Sequence, residues 1–109
     1  MAGSGRIPKK SAKINGRIWR LVTSQQVYLN EDTLALGVCD HADRTIYLMK
    51  GPLHQLQDTL FHEMVHASCP SLTEEQVTEV ERGVYAFLAE NPVLRDWMFA
   101  KTENAKKSD

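Results

Sequence analysis

The longest periodic stretch of the chain runs from Leu53 to Ala67. Leu53, Leu56, Leu60, Met64 and Ala67 recur at three- and four-residue spacing, the signature of one helix face turned to a core. Phe61 and Val65 add a second apolar flank. At about 100° per residue, His62 and His66 fall on the side opposite the leucine stripe, with Thr59 close behind them. Gly51-Pro52 opens this helix, since proline is tolerated at the first helical position. Pro70 disfavours its continuation, so it ends near Ser68-Cys69.

Upstream the period changes to two. Asn15-Gly16 is a turn signal, and Ile18-Trp19-Arg20-Leu21-Val22 has strand composition. Gln26-Val27-Tyr28-Leu29 reads as a second short strand. Leu34–Cys39 and Thr45–Met49 flank the polar turn Asp40–Arg44 and form a hairpin. In it Ile46 and Leu48 share one face, and Tyr47 and Met49 the other. Downstream, Thr73-Glu74-Glu75-Gln76 is a capping box that starts a second helix reaching Glu90-Asn91. Its core stripe is Val77, Val80, Val84 and Leu88. The short turn makes it an antiparallel neighbour of the first helix. Gly83 within it costs about 1 kcal/mol against Ala and would permit a close helix approach. Asn91-Pro92 begins a short final helix whose Leu94, Trp97 and Met98 are expected to cover the core. The expected fold class is α+β: a small, mostly antiparallel sheet, then three helices. Residues 13–100 form one domain between a mobile tail at 1–12 and a frayed tail at 101–109.

Composition narrows the function classes. The 109 residues suffice for a single core. A net charge of −1 and a pI near 6.4 argue against bulk electrostatic binding to nucleic acid or anionic membrane. Arg6, Lys9, Lys10 and Lys13 form a local basic cluster, read as part of a solvated tail. No apolar run approaches the ~18 residues that span a bilayer. The N-terminus lacks the apolar segment of a secretory signal. Two cysteines, Cys39 and Cys69, are too few for a disulfide scaffold; they read as small buried hydrophobes in a reducing cytoplasm.

The candidate chemistry lies on the polar strip of the central helix, in His62-Glu63-Met64-Val65-His66. Two imidazoles four residues apart point the same way from a helix and can hold one Zn²⁺ ion. A glutamate next to the first sits beside the ion without ligating it, where it can take a proton from a water the ion polarises. On the order of a few random chains per thousand of this length would carry the pattern, so the helical setting supplies much of its weight. His41 and His54 have no such arrangement. A catalytic zinc needs a third protein ligand and one open position. On the second helix, Glu74 lies on the inward edge of the stripe, in the first turn and near His66. Glu81 also faces inward but two turns further along, and Glu75 and Glu79 point away. Glu74 is therefore the first choice, with Glu81, then Glu75, behind it. Asp40 of the hairpin turn is a further possibility.

The stretch Thr59-Leu-Phe-His62-Glu63-Met-Val-His66-Ala67, followed by Pro70-Ser-Leu72-Thr-Glu74-Glu75-Gln-Val77, resembles the small zincin metallopeptidases with a glutamate third ligand. More narrowly, it is similar to minimal, often phage-encoded members related to the SprT-like group. The Gly37–Asp40 and Arg44–Leu48 segments fit the short sheet that precedes the active-site helix there. The resemblance covers roughly residues 14–91 and is specific at the two histidines and Glu63. It implies a minimal zincin-like fold, Zn²⁺ as cofactor, His62, His66 and Glu74 as ligands, Glu63 as general base, and a peptide or protein substrate. The chain departs from SprT-like proteins in lacking a downstream third histidine, and from the HExxHxxGxxH pattern in lacking its glycine and last histidine. Tyr85, Tyr47, Arg44 and His54 are candidates to stabilise a tetrahedral oxyanion. If Thr45–Met49 is an edge strand near the metal, an extended peptide could pair with it. A second reading keeps the zinc for stability and makes the chain a binding or inhibitory module acting on a partner protein without proteolysis.

Overall fold

The computed structural model describes residues 5–101. The outer parts of the two expected tails, 1–4 and 102–109, lie outside the described residues. The chain is α+β, with six strands followed by three helices. The strands are β1 (Ser11–Ile14), β2 (Arg17–Ser24), β3 (Tyr28–Asn30), β4 (Thr33–Leu34), β5 (Gly37–Asp40) and β6 (Thr45–Met49). The helices are α1 (Leu53–Ser68), α2 (Glu74–Glu90) and α3 (Pro92–Phe99). β1 begins inside the segment expected to be a tail. Ile7 packs against the core, and the Gly5 N–H donates to the Gly51 carbonyl at 2.8 Å.

Asn15 and Gly16 take φ of 50° and 79°, so both central residues of the first turn are left-handed, as a tight two-residue hairpin demands. The Asn15 amide donates to the Ser68 carbonyl at 3.0 Å, satisfying one of the carbonyls left open at the end of α1. Four strands form one sheet in the order β1-β2-β6-β5, and β3-β4 forms a separate ribbon. β1–β2 and β5–β6 are antiparallel, but the central β2–β6 pair is parallel, with Leu21 opposite Ile46 and Thr23 opposite Leu48. The sheet is thus mixed. β6 lies at its centre, so it is not the edge strand that peptide pairing would require. The stretch expected as one strand over Leu34–Cys39 is divided between β4 and β5, and the strand expected from Gln26 begins at Tyr28.

Period two is obeyed where a face is buried. Trp19 and Leu21 of β2, and Ile46 and Leu48 of β6, turn to the core, while Ile18 is exposed. Leu56 and Ala67 of α1 are buried in the same cluster, with Leu60 and Met64 partly buried against it. Leu53, at the helix start, is exposed instead. The capping box is present in full: the Gln76 N–H donates to Thr73 Oγ1 at 3.1 Å, and the Thr73 N–H to Gln76 Oε1 at 2.9 Å.

The rest of α2 and α3 departs from the expected packing. Of the α2 stripe only Val77 is fully buried; Val80 and Val84 are exposed and Leu88 is half-buried. A Cβ at Gly83 would meet no atom within 4 Å, so no helix approaches there. Leu94, Trp97 and Met98 are exposed and do not cover the core. A 3.6-residue apolar period identifies a face suited to burial, but among the described residues the sheet packs against α1 and against neither α2 nor α3. Cys69 is exposed as well, and only Cys39 behaves as the partly buried hydrophobe expected of both.

Candidate metal centre

α1 lies between the sheet and α2, so its polar strip faces the start of α2. The two helices run antiparallel: Glu74 meets His66, whereas Glu81, two turns later, meets the earlier His62. The rings of His62 and His66 stack edge to face with centroids 5.0 Å apart. Glu74 bridges them. His62 Nε2 is 2.9 Å from one of its carboxylate oxygens, and His66 Nε2 is 2.7 Å from the other. One ligand atom from each of the three lies within 4.8 Å of the others, and this is the one such group of histidine, cysteine or acidic residues among the described residues.

The donor set suits zinc, which takes imidazole nitrogen and carboxylate oxygen in a tetrahedron. Ligand bonds of about 2.0–2.1 Å put tetrahedral neighbours about 3.3 Å apart. The N···O contacts here are a few tenths of an ångström shorter, so an ion requires a small outward shift of Glu74. That side chain is 71% exposed and can move, whereas the histidines are held at 18% and 20%.

Glu81 holds the outer nitrogen of His62. Its Oε1 lies 3.0 Å from Nδ1, which leaves Nε2 as the ring atom turned to Glu74. A carboxylate on the far nitrogen fixes the tautomer and orientation of a ligating histidine. Glu81 thus stands behind a candidate ligand and outside the three-residue group. Glu75 and Glu79 line another cleft along α2 with Arg82, which Glu74 also borders, and neither belongs to the three-residue group. Asp40 accepts from the Asp43 N–H at 3.2 Å within its own turn and is not part of the group.

Glu63 is 6% exposed and makes no side-chain hydrogen bond among the described residues. Its neighbour is Gly37 of β5. A Cβ there would stand 2.6 Å from Thr59 Cγ2 and 3.0 Å from Glu63 Cγ, so only glycine lets the strand lie this close to the helix. A glycine inside a strand is the sequence signal for such an approach. Glu63 and Gly37 line a cleft of about 350 Å³ with Leu36, Asp58, His62 and Glu74.

Electrostatics follow from this packing. Burial raises the Glu63 carboxyl above its ordinary 4.5, opposed by His66 and His62 and reinforced by Glu74. For His62, burial acts downward, but the Glu81 bond and the charges of Glu74 and Glu63 outweigh it, so its pKa is raised above 6.5. For Glu74, desolvation acts upward and is outweighed by His66 and His62, so its pKa is lowered. Burial, then Glu63 and Asp40, push the Cys39 thiol up to about 12, so it stays protonated and unreactive at neutral pH.

None of the four candidate oxyanion donors is among the residues lining this cleft; Tyr85 is the one that neighbours a lining residue, Asp58. Its ring stacks edge to face on Phe61 at 5.4 Å, and burial together with the Asp58 carboxylate raises its pKa. Tyr47 instead lines a cavity with Tyr28 and His41. Arg44 occupies the hairpin turn with φ of 47°, and His54 is exposed near the start of α1. Asp58 was not singled out by the sequence; one turn before His62 on the same strip, it is recoverable from helical spacing.

Comparison with family models, curated proteins and solved structures finds no match for this chain. Among the described residues no helix is long and apolar enough to cross a membrane.

Proposed function

We propose that the chain is a zinc-dependent peptidase of minimal zincin type, with His62, His66 and Glu74 as ligands and Glu63 as general base. The observation that carries this reading is the meeting of His62, His66 and Glu74, two of which line a cleft together with the buried, unbonded Glu63. When bound, zinc lowers the pKa of water to about 7 and polarises a carbonyl oxygen.

The residues around it have separable tasks. Glu63 takes a proton from the attacking water at its carboxylate and returns it to the leaving amine. Its raised pKa brings a carboxyl closer to the pH at which proton acceptance and return are both efficient. Glu81 keeps His62 in the tautomer that offers Nε2. Tyr85, beside Asp58 of the cleft, is the candidate donor to a developing oxyanion. β5, which among the described residues pairs with β6 alone, is the edge strand beside the cleft, and an extended peptide would lie along it.

The test combines metal analysis with cleavage of a peptide library by wild type and Glu63→Gln. The reading expects near-stoichiometric zinc in both, lost in His62→Ala, and cleavage by wild type alone. Stoichiometric zinc with no cleavage by wild type would support the non-proteolytic binding module instead.

A further inference from the structure

A cleft of about 780 Å³ shares no residue with the candidate metal site. The segment Gly5–Lys10 forms one wall and Leu21–Thr23 of β2 the other, with Lys50 at one end. Backbone bonds close it above and below: Leu21 N–H to Lys10 O at 2.9 Å, and Gly5 N–H to Gly51 O at 2.8 Å.

Two features of this cleft are independent of each other. The first is charge. No acidic residue precedes Glu31 in the chain. Arg6, Lys9, Lys10 and Lys50 all line the cleft, and none is in an ion pair among the described residues. The second is an open strand edge. The bonds Arg20 N–H to Arg44 O and Lys50 N–H to Ser24 O turn the even-numbered residues of β2 towards β6. Alternation therefore turns Thr23 the other way, into the cleft. There β1 has already diverged. Among the described residues Lys10 is the last on that side to bond β2, and Pro8, which would face Thr23 were the register continued, has no N–H to give. Its apolar lining residues are Ile7, Leu21 and Val22, and the lining contains no aromatic ring.

We propose that this cleft is a docking site for an extended, acidic segment of a protein partner, which adds a short strand at Thr23 while its carboxylates meet Arg6, Lys9, Lys10 and Lys50. Backbone pairing supplies register and the cations supply selectivity for acidic side chains. An exposed strand edge with both donor and acceptor suits a peptide backbone; a nucleic acid has no such edge to match and would find no ring on which to stack bases. The site is independent of metal binding at the opposite cleft.

The test is fluorescence anisotropy of the full chain with a labelled Asp/Glu-rich decapeptide. Three comparison ligands are needed: its Asn/Gln counterpart, a backbone N-methylated version, and an oligonucleotide of equal charge. We expect the acidic peptide to bind in a salt-dependent manner, with the amide and N-methylated forms each at least about tenfold weaker. The exposed double change Lys9→Glu with Lys10→Glu should weaken it by a similar factor, while circular dichroism and zinc content remain those of wild type. Absence of binding, equal affinity for the N-methylated peptide or the oligonucleotide, or indifference to the double change would overturn the proposal.

Discussion

Glu81 and Gly37 do the quietest work at the candidate centre. Glu81 contributes no ligand atom, yet its bond to Nδ1 decides which nitrogen His62 offers. Glu81→Gln should leave the fold intact and weaken zinc binding about 10- to 100-fold, read by competition with a chromogenic chelator. An unchanged affinity would remove Glu81 from the centre. At Gly37, a methyl group would collide with the stiff, β-branched Thr59 as well as with Glu63. Gly37→Ala should therefore lower cleavage more than zinc content, because Glu63 is displaced while the histidines are not. Equal loss of both would mean that the strand, and not the carboxylate, is what moves.

Protonation gives this residue group a distinctive pH signature. The folded-state pKa of His62 is raised, so its contribution to stability is fully present below 6.5 and is lost as pH rises through the folded-state value. Glu74 is lowered; its contribution is present above 4.5 and lost as pH falls through its folded value. Glu63 is raised, so ionising it in place works against folding as pH increases. Metal-free protein should thus lose stability on going from mildly acidic to mildly alkaline pH. Zinc affinity should change the opposite way, because the ligands must shed their protons first. Urea titrations of apo and zinc-loaded protein across that range check both signs.

Among the elements, α1 and the start of α2 were legible because local chemistry fixes them. The histidine spacing, Pro70 and the Thr73–Gln76 box act within a turn or two, and each appears where it was expected. Thr73 is the residue before Glu74, so its cap anchors a candidate ligand as well as a helix. Thr73→Ala should cost about 1 kcal/mol by urea denaturation. The parallel β2–β6 pairing was not legible, since strands of similar composition do not announce their partners across more than twenty residues. The packing of α2 and α3 was misread for a related reason. Val80, Val84 and Trp97 have the right period for burial, but periodicity carries no information on whether another layer exists to receive them. The proximity of His62, His66 and Glu74 was easier to read than the sheet because the histidines share one helix. Glu81 faces inward as expected and stands outside the three-residue group, but its bond to His62 Nδ1 was not foreseen.

For the whole molecule, a small core makes a ligand-linked contribution large. Domains of this size have about 5–15 kcal/mol of net stability. Removing one of the fully buried side chains, as in Leu48→Ala, should cost about 2–5 kcal/mol and is a benchmark for the core alone. Free zinc at about 100 times its dissociation constant should add about 2.7 kcal/mol, read as a rise in thermal midpoint that His66→Ala abolishes. Sheet, α1 and candidate centre are coupled in one unit, because α1 supplies both the core stripe and two of the three candidate ligands.

The most direct measurement is anomalous scattering recorded on both sides of the zinc absorption edge, from crystals of protein purified with zinc. The account predicts one peak present only above the edge, about 2.0–2.2 Å from His62 Nε2, His66 Nε2 and a carboxylate oxygen of Glu74, with Glu81 still on Nδ1. An empty position there, with Glu74 bonded directly to both rings in zinc-replete protein, would contradict it.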